Sequence, residues 1–295
     1  MIEKVNPSHP DKIADRIAGA IVDLAYTMDK RPKVAVEVLI GHGLCTIIIE
    51  SDVLAELETA DQVAGEIYAI VDRIAGEGFE IDIRTRPQDS HLSDNQRKEI
   101  RCGDNGIFLG MPLTPEEEKL SAIVRDIYQD HPHDGKCILS DDELIVCQSN
   151  VDSRDTGCDF GRSAFLDELT VTAEVRGIRE IRCNPLGDWT GGTDVDTGAT
   201  NRKLGSDMGH SVTGGGLHGK DLSKADVSAN IFVFEMAQTS GRPVSAYCAI
   251  GDKDITLLLG DEEPQKVPFA GVVRFAELYI ERIGGFEKLA EWGLF

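Results

Sequence analysis

No apolar run in the 295-residue chain reaches the ~18 residues a membrane helix needs, and the opening residues MIEKVNPSHPDK lack the basic-then-apolar order of a secretory signal. No membrane span is expected, and the default address is the cytoplasm. Cysteine pairs at metal-ligand spacing are also missing. The seven cysteines, at 45, 102, 137, 147, 158, 183 and 248, include no Cys-x-x-Cys, which argues against a zinc site and a disulfide framework and leaves mostly buried, reduced thiols. Positive charge is scarce, with 30 Lys and Arg against 52 Asp and Glu and a net charge of −22. At a pI near 4.6 the chain has no broad basic face, so nucleic acid is not an expected partner. His42, His91, His131, His133, His210 and His218 show no HExxH spacing and read as surface or loop residues.

What is present is a recurring order of elements. Ile13, Ile17, Ile21 and Leu24 stand at helical spacing in 11–29, behind Ser8 as cap and Pro10 in the first turn. Two strand-like runs follow, 33–41 and 44–50, joined through His42-Gly43. A helix over 61–78 and a short strand near 79–84 complete the unit. The order returns as helix 115–129, hairpin 136–148 turning at Ser140-Asp141-Asp142, helix 161–176 and strand 178–183. It returns again as helix 221–239, strands 243–251 and 255–260, helix 268–283 and a closing helix 285–292. The fold class read from this is α+β, three similar α/β-repeat domains in a pseudo-three-fold arrangement, divided at 1–112, 113–190 and 191–295.

In so acidic a chain the stretch from Asn184 to Asp226 is unusual. It gathers glycines with Arg202, Lys203, Lys220 and Lys224, a local place for a polyanion, and interleaves Asp194, Asp196, Asp221 and Asp226 as hard oxygen donors for a divalent metal. Gly214 to Lys220 fits G-x-x-x-x-G-K, but Asp221 stands where a P-loop needs Ser or Thr and no apolar strand precedes it, so that fold is set aside. Asp194-Val-Asp196-Thr-Gly198 lacks the remaining ligands of a calcium loop. Ser8-His9-Pro10-Asp11-Lys12 reads either as a plain helix start or as an anion site with a cationic imidazole, an amine and a metal-type carboxylate. Gly103-Asp104-Asn105-Gly106 is a tight turn or a way of presenting Asp104 to a cleft.

In order, SHPDKIAD, GDNGIFLG, HDGK, NPLGDWTGG, TDVDTGATNRK and GGGLHGKDLSKAD resemble the motifs of the S-adenosylmethionine synthetases: GHPDKIAD, GDQG, DAK, NPTG with a following GG, GD..LTGRK and GGGAFSGKD..K.D. The resemblance spans the whole chain and implies that family's three-domain fold. It implies attack of methionine sulfur on C5′ of ATP, release of triphosphate, and hydrolysis of the triphosphate to pyrophosphate and phosphate. It places His9 at the bridging oxygen, Asp11 and Asp226 on Mg²⁺ (two ions per site), and Lys136, Arg202, Lys203 and Lys220 on phosphates. Asp134 and Asp196 would contact the nucleoside and Trp189 would stack on adenine. Methionine would meet Glu50, Gln88, Asp196 and Lys224, with Asp104 reaching in from a neighbouring subunit. Glu37, thirteen residues before Glu50, fits the family's K⁺ ligand. The implied assembly is a homodimer with shared active sites, or a tetramer of such pairs.

The chain also departs from the family. Asp188 replaces an arginine before the stacking aromatic, Asn6-Pro7-Ser8 replaces the usual lead into the first motif, and the Gln88 to Arg101 loop is short. Two other functions need fewer of these residues: a Mg²⁺-dependent polyphosphate or nucleotide hydrolase, and a non-catalytic nucleotide-binding regulator.

Overall fold

Each helix–hairpin–helix unit builds a four-stranded sheet whose edge strand is borrowed from elsewhere in the chain. The computed structural model describes residues 1–54, 60–90, 99–154, 163–260 and 262–295; His91 and Cys158 lie outside the described residues. In chain order the elements are β1 (Ile2–Val5), α1 (Pro10–Met28), β2 (Val34–Gly41), β3 (Leu44–Ser51), α2 (Ala60–Ala75), β4 (Glu80–Arg86), β5 (Gly106–Gly110), α3 (Pro115–Asp130), β6 (Gly135–Ser140) and β7 (Glu143–Gln148). They continue with α4 (Ala164–Val175), β8 (Glu180–Cys183), β9 (Gly198–Ala199), α5 (Leu204–Met208), α6 (Ala225–Ser240), β10 (Val244–Cys248), β11 (Asp254–Leu259), β12 (Gln265–Pro268), α7 (Phe269–Ile283) and α8 (Phe286–Trp292).

The fold is α+β. The first sheet runs β4-β3-β2-β9 and the second β8-β7-β6-β1. Both combine an antiparallel hairpin, an antiparallel edge strand and a parallel last strand reached through a helix. The hairpin turns take residues at positive φ, His42 (52°) with Gly43 (78°) in the first and Asp141 (52°) in the second, as tight two-residue hairpins require. The third sheet, β12-β11-β10-β5, departs from the pattern: β12 precedes α7 and pairs antiparallel with β11. Strands β1, β5 and β9 all cross the lines between 1–112, 113–190 and 191–295, because each pairs with a hairpin in another segment.

Burial follows the same grouping. Helix α1 buries Ile13, Ile17 and Ile21 in a core shared by the first and third units, and Gly19 lets α8 approach so closely that a Cβ there would lie 2.7 Å from the Phe286 carbonyl oxygen. The second unit keeps its own core around Leu120, Ile123, Leu139, Leu144, Val146 and Phe165. Among the described residues no helix is long and apolar enough to cross a membrane.

Candidate active site

The start of α1 and the 184–203 segment bring one set of charged groups together. His9, not Ser8, caps α1: its Nδ1 accepts the Asp11 N–H at 3.2 Å, while the Ser8 hydroxyl pairs with Tyr128 at 3.1 Å. Burial, followed by the neighbouring Lys203, lowers the His9 pKa to about 4, so the imidazole is neutral at neutral pH and not the cation expected from sequence. With Nδ1 accepting, its proton sits on Nε2. Asp11 is 2% exposed. Its Oδ1 accepts the Ala199 N–H at 2.9 Å and lies 3.5 Å from Arg202 Nη1, and its Oδ2 lies 2.9 Å from Lys203 Nζ. Asp134 Oδ2 accepts the Gly192 N–H at 2.9 Å. Burial raises its pKa to about 6, and Asp196 and Asp11 push the same way. Lys136 sits on β6 with Glu3 at 2.5 Å, close enough to His9 to act on its titration, as Asp196 does. His9, Asp11, Asp134, Lys136, Asp196, Arg202 and Lys203 thus form one cluster.

A second cluster gathers at the other end of β2. Lys220 Nζ pairs with Asp226 Oδ2 at 2.6 Å, and Gly215 presses on that carboxylate so closely that a Cβ would lie 1.9 Å from Oδ1. Asp104 is raised by burial and by Asp226, with Lys220 and Lys224 opposing, which puts all four groups in one neighbourhood. Lys224 Nζ is buried 3.7 Å from Asp221 Oδ2 and has no hydrogen-bond partner among the described residues. Along β2, β9 pairs with Leu39 and Ile40, whereas Lys220 bridges Ala35. At ~3.3 Å per residue the two attachment points are about 13 Å apart.

The remaining sequence-derived residues have definite places. Glu50 lies on the open face of the first sheet opposite Ala35, in one row with Lys220, and Arg86 of β4 flanks it. Gln88 is 8% exposed and its Oε1 has no partner among the described residues. Glu37, on the same open face, meets the Thr200 hydroxyl. Trp189 donates from Nε1 to Asn184 Oδ1 at 3.3 Å and, with Cys147, Pro185 and Leu186, lines a cavity of about 390 Å³. Asp188 faces Ser153, accepting its backbone N–H at 2.8 Å and its hydroxyl at 2.5 Å, so the chain uses this departure to hold its own loop.

Three readings are corrected by burial. His218 lies in a loop but not at the surface: it is 2% exposed, with Nε2 3.0 Å from Asp207 Oδ2 and 3.3 Å from Lys12 Nζ. Lys12 is no ligand amine: 1% exposed, it bonds Asp15 Oδ2 at 3.1 Å and also Asp207. Asp15, Asp207 and His218 have the arrangement of metal ligands, yet the Lys12 ammonium fills the cation's place among them. Asp221 is 1% exposed and accepts from the backbone N–H groups of Val34 (2.9 Å) and Ser223 (2.8 Å), leaving it a structural brace and not a metal donor. Sequence reading missed Asp15 and Asp207; the i,i+3 spacing of Lys12 and Asp15 on one helix face was the available signal.

The profile of the S-adenosylmethionine synthetase N-terminal domain matches residues 1–85. S-adenosylmethionine synthase 1 of Rhodopseudomonas palustris is 27% identical over 90% of this chain and 79% of its own length. The S-adenosylmethionine synthase of Thermosynechococcus vestitus is 28% identical over 96% of this chain and 79% of its own length. The chain is a divergent relative of the S-adenosylmethionine synthetases. That of Trichormus variabilis is 29% identical over 77% of the chain and 68% of its own. The residues matched by the N-terminal-domain profile include His9 and Asp11.

Proposed function

We propose that this synthetase relative makes S-adenosylmethionine from ATP and L-methionine, sulfur attacking C5′ and triphosphate leaving, with hydrolysis of the triphosphate to pyrophosphate and phosphate before release. The observation that carries the reading is the gathering of Arg202, Lys203 and Lys136 around His9 and the buried Asp11 in a chain of net charge −22. A thioether attacks through a lone pair and has no proton to lose, so the site needs no general base. What it needs is charge aimed at the leaving triphosphate. Neutral His9 suits the bridging oxygen, because its Nε2–H is a donor while Nδ1 is held by the backbone. Asp134, Asp196 and the cavity beside Trp189 are the nucleoside side of the site.

Mg²⁺ fits the donor set, since it binds through one or two carboxylates plus phosphate oxygens, and Asp11 and Asp226 each already face a cation that a phosphate would draw off. Bound there, Mg²⁺ neutralises the charge that develops on the triphosphate. Glu37 and the Thr200 hydroxyl offer oxygens to K⁺. Gln88 Oε1 and Lys224 Nζ, unpartnered acceptor and donor, match the ammonium and carboxylate of an amino acid.

The two clusters sit at opposite ends of β2, and we assign each complete site to two subunits, one giving His9, Asp11, Lys136, Arg202 and Lys203, the other Asp104, Lys220, Lys224 and Asp226. The open face of the first sheet carries Leu39, Leu44 and Ile48, each about half exposed, which suits burial against a second copy. The test is to incubate the pure protein with ATP, methionine, Mg²⁺ and K⁺ and quantify products. Equal S-adenosylmethionine, phosphate and pyrophosphate are expected. Phosphate release that ignores methionine would replace the reading with a hydrolase.

A further inference from the structure

One residue joins the two phosphate-facing clusters within a subunit. Asn201 stands in the left-handed region at φ 59°, immediately before Arg202 and Lys203. Its backbone N–H donates to Asp15 Oδ1 at 2.7 Å, which ties the turn to α1. Its carboxamide faces the other way and makes a reciprocal pair with the 214–220 loop: the His218 N–H donates to Asn201 Oδ1 at 3.0 Å, and Asn201 Nδ2 donates to the His218 carbonyl at 3.1 Å. His218 is two residues before Lys220, and its ring is anchored on Asp207 at 3.0 Å. Gly216 closes the contact from the opposite side, since a Cβ there would lie 2.2 Å from Asn201 Cγ.

We propose that Asn201 is a positioning residue, whose carboxamide fixes the loop that carries Lys220 for one shared site against the Arg202–Lys203 turn that serves the other, so that each subunit presents both sets of cations in fixed register to its partner. The proposal rests on the reading of those cations as the triphosphate holders. Asn201 touches no substrate in it. Two hydrogen bonds to backbone groups of one residue fix both the distance and the orientation of the loop, which an apolar contact would leave free to slide. Asparagine is among the few non-glycine residues that tolerate positive φ, so it brings the side chain to a place where most residues are strained.

The test uses Asn201→Gly, which keeps the backbone conformation and removes only the carboxamide, and Gly216→Ala, which displaces the carboxamide from the other side. Inorganic triphosphate with Mg²⁺ is titrated calorimetrically, and steady-state turnover is followed in parallel. Each variant is expected to weaken triphosphate and to lower kcat by about tenfold, while the methionine KM stays within about threefold of wild type. The double variant should be no worse than Asn201→Gly alone, because the added methyl then meets no side chain. Wild-type triphosphate affinity in Asn201→Gly, or additive losses in the double variant, would overturn the proposal. If Asn201→Gly does not fold, a normal Gly216→Ala overturns it equally. A wild-type protein that binds triphosphate without forming S-adenosylmethionine removes the synthetase reading and leaves this one to the titration. No triphosphate binding by the wild type overturns both.

Discussion

Replacing Lys12 by methionine should cost this protein more stability than any single change at the surface. The ammonium is 1% exposed, Asp15 and Asp207 are fully buried, and His218 closes the group. Burial works to raise both carboxyls. Against it, Lys12 and His218 hold Asp207 below the usual range, whereas Asp15 remains raised despite them. Lys12→Met keeps the volume of the stem and deletes the charge, which leaves two buried carboxylates facing one another. Breaking a buried pair in this way costs about 3–5 kcal/mol. At roughly 2–4 °C per kcal/mol for a chain of this size, Tm should fall by about 6–20 °C. The assay is urea unfolding at pH 7.5, followed by circular dichroism. Asp207→Asn added to Lys12→Met should restore part of the loss, because it removes one of the stranded charges. A loss under about 1 kcal/mol, or a double variant with fully additive losses, would refute the view that the ammonium balances this cluster.

Other outcomes follow from the two charge clusters. Asp134 has a folded pKa raised to about 6, so its contribution to stability is present below the unfolded value near ~3.9 and is lost as pH rises through 6. Asp134→Asn should therefore raise Tm at pH 8, where wild type carries a buried charge, and the two melting curves should converge below pH 4; equal Tm at pH 8 would contradict this. Lys220→Met and Arg202→Leu should each lower turnover by ~10²-fold with unfolding little changed, and near-normal turnover in both would remove these cations from the phosphate site. Asp188→Arg breaks both Ser153 hydrogen bonds, so it should not lower the ATP KM, and a lower KM would show that position 188 still faces nucleotide. Asp104→Asn and Lys136→Met should each be nearly inactive, yet refolded together they should recover roughly a quarter of wild-type activity through mixed dimers. A fully active monomer by light scattering would end the shared-site assignment.

Helices and hairpins were legible in the sequence because their signals are local. The i,i+4 spacing of Ile13, Ile17 and Ile21 and the His42-Gly43 turn each act within a few residues. The edge strands were not legible. β1 is four residues long and β9 two, and their pairing to β6 and β2 is decided by partners well over a hundred residues away. A domain division drawn along the chain therefore cuts through sheets. The membership of the first cluster was visible in its motifs, but the splitting into two ends of β2 was not, since it depends on Lys220 bridging Ala35 while Ala199 pairs with Leu39.

The same limit explains why Lys12 and His218 were misread while Lys203 and Lys220 were singled out. Composition makes Lys12 and Lys220 equal, and both follow a glycine- or proline-marked turn beside an aspartate. What separates them is the number of acceptors the fold supplies. Lys12 meets two buried carboxylates, Asp15 and Asp207, with no exposed surface to spare, so an incoming phosphate has no access to it. Lys220 shares one carboxylate, Asp226, and its side chain keeps about a fifth of its surface open. An ammonium with a single exchangeable partner can turn to a triphosphate oxygen while its carboxylate turns to a metal, and both remain paired throughout. On the proposed reading, the phosphate-holding cations are those the fold leaves with an exchangeable partner, a property that emerges only after α1, β2 and the 184–226 segment have packed together.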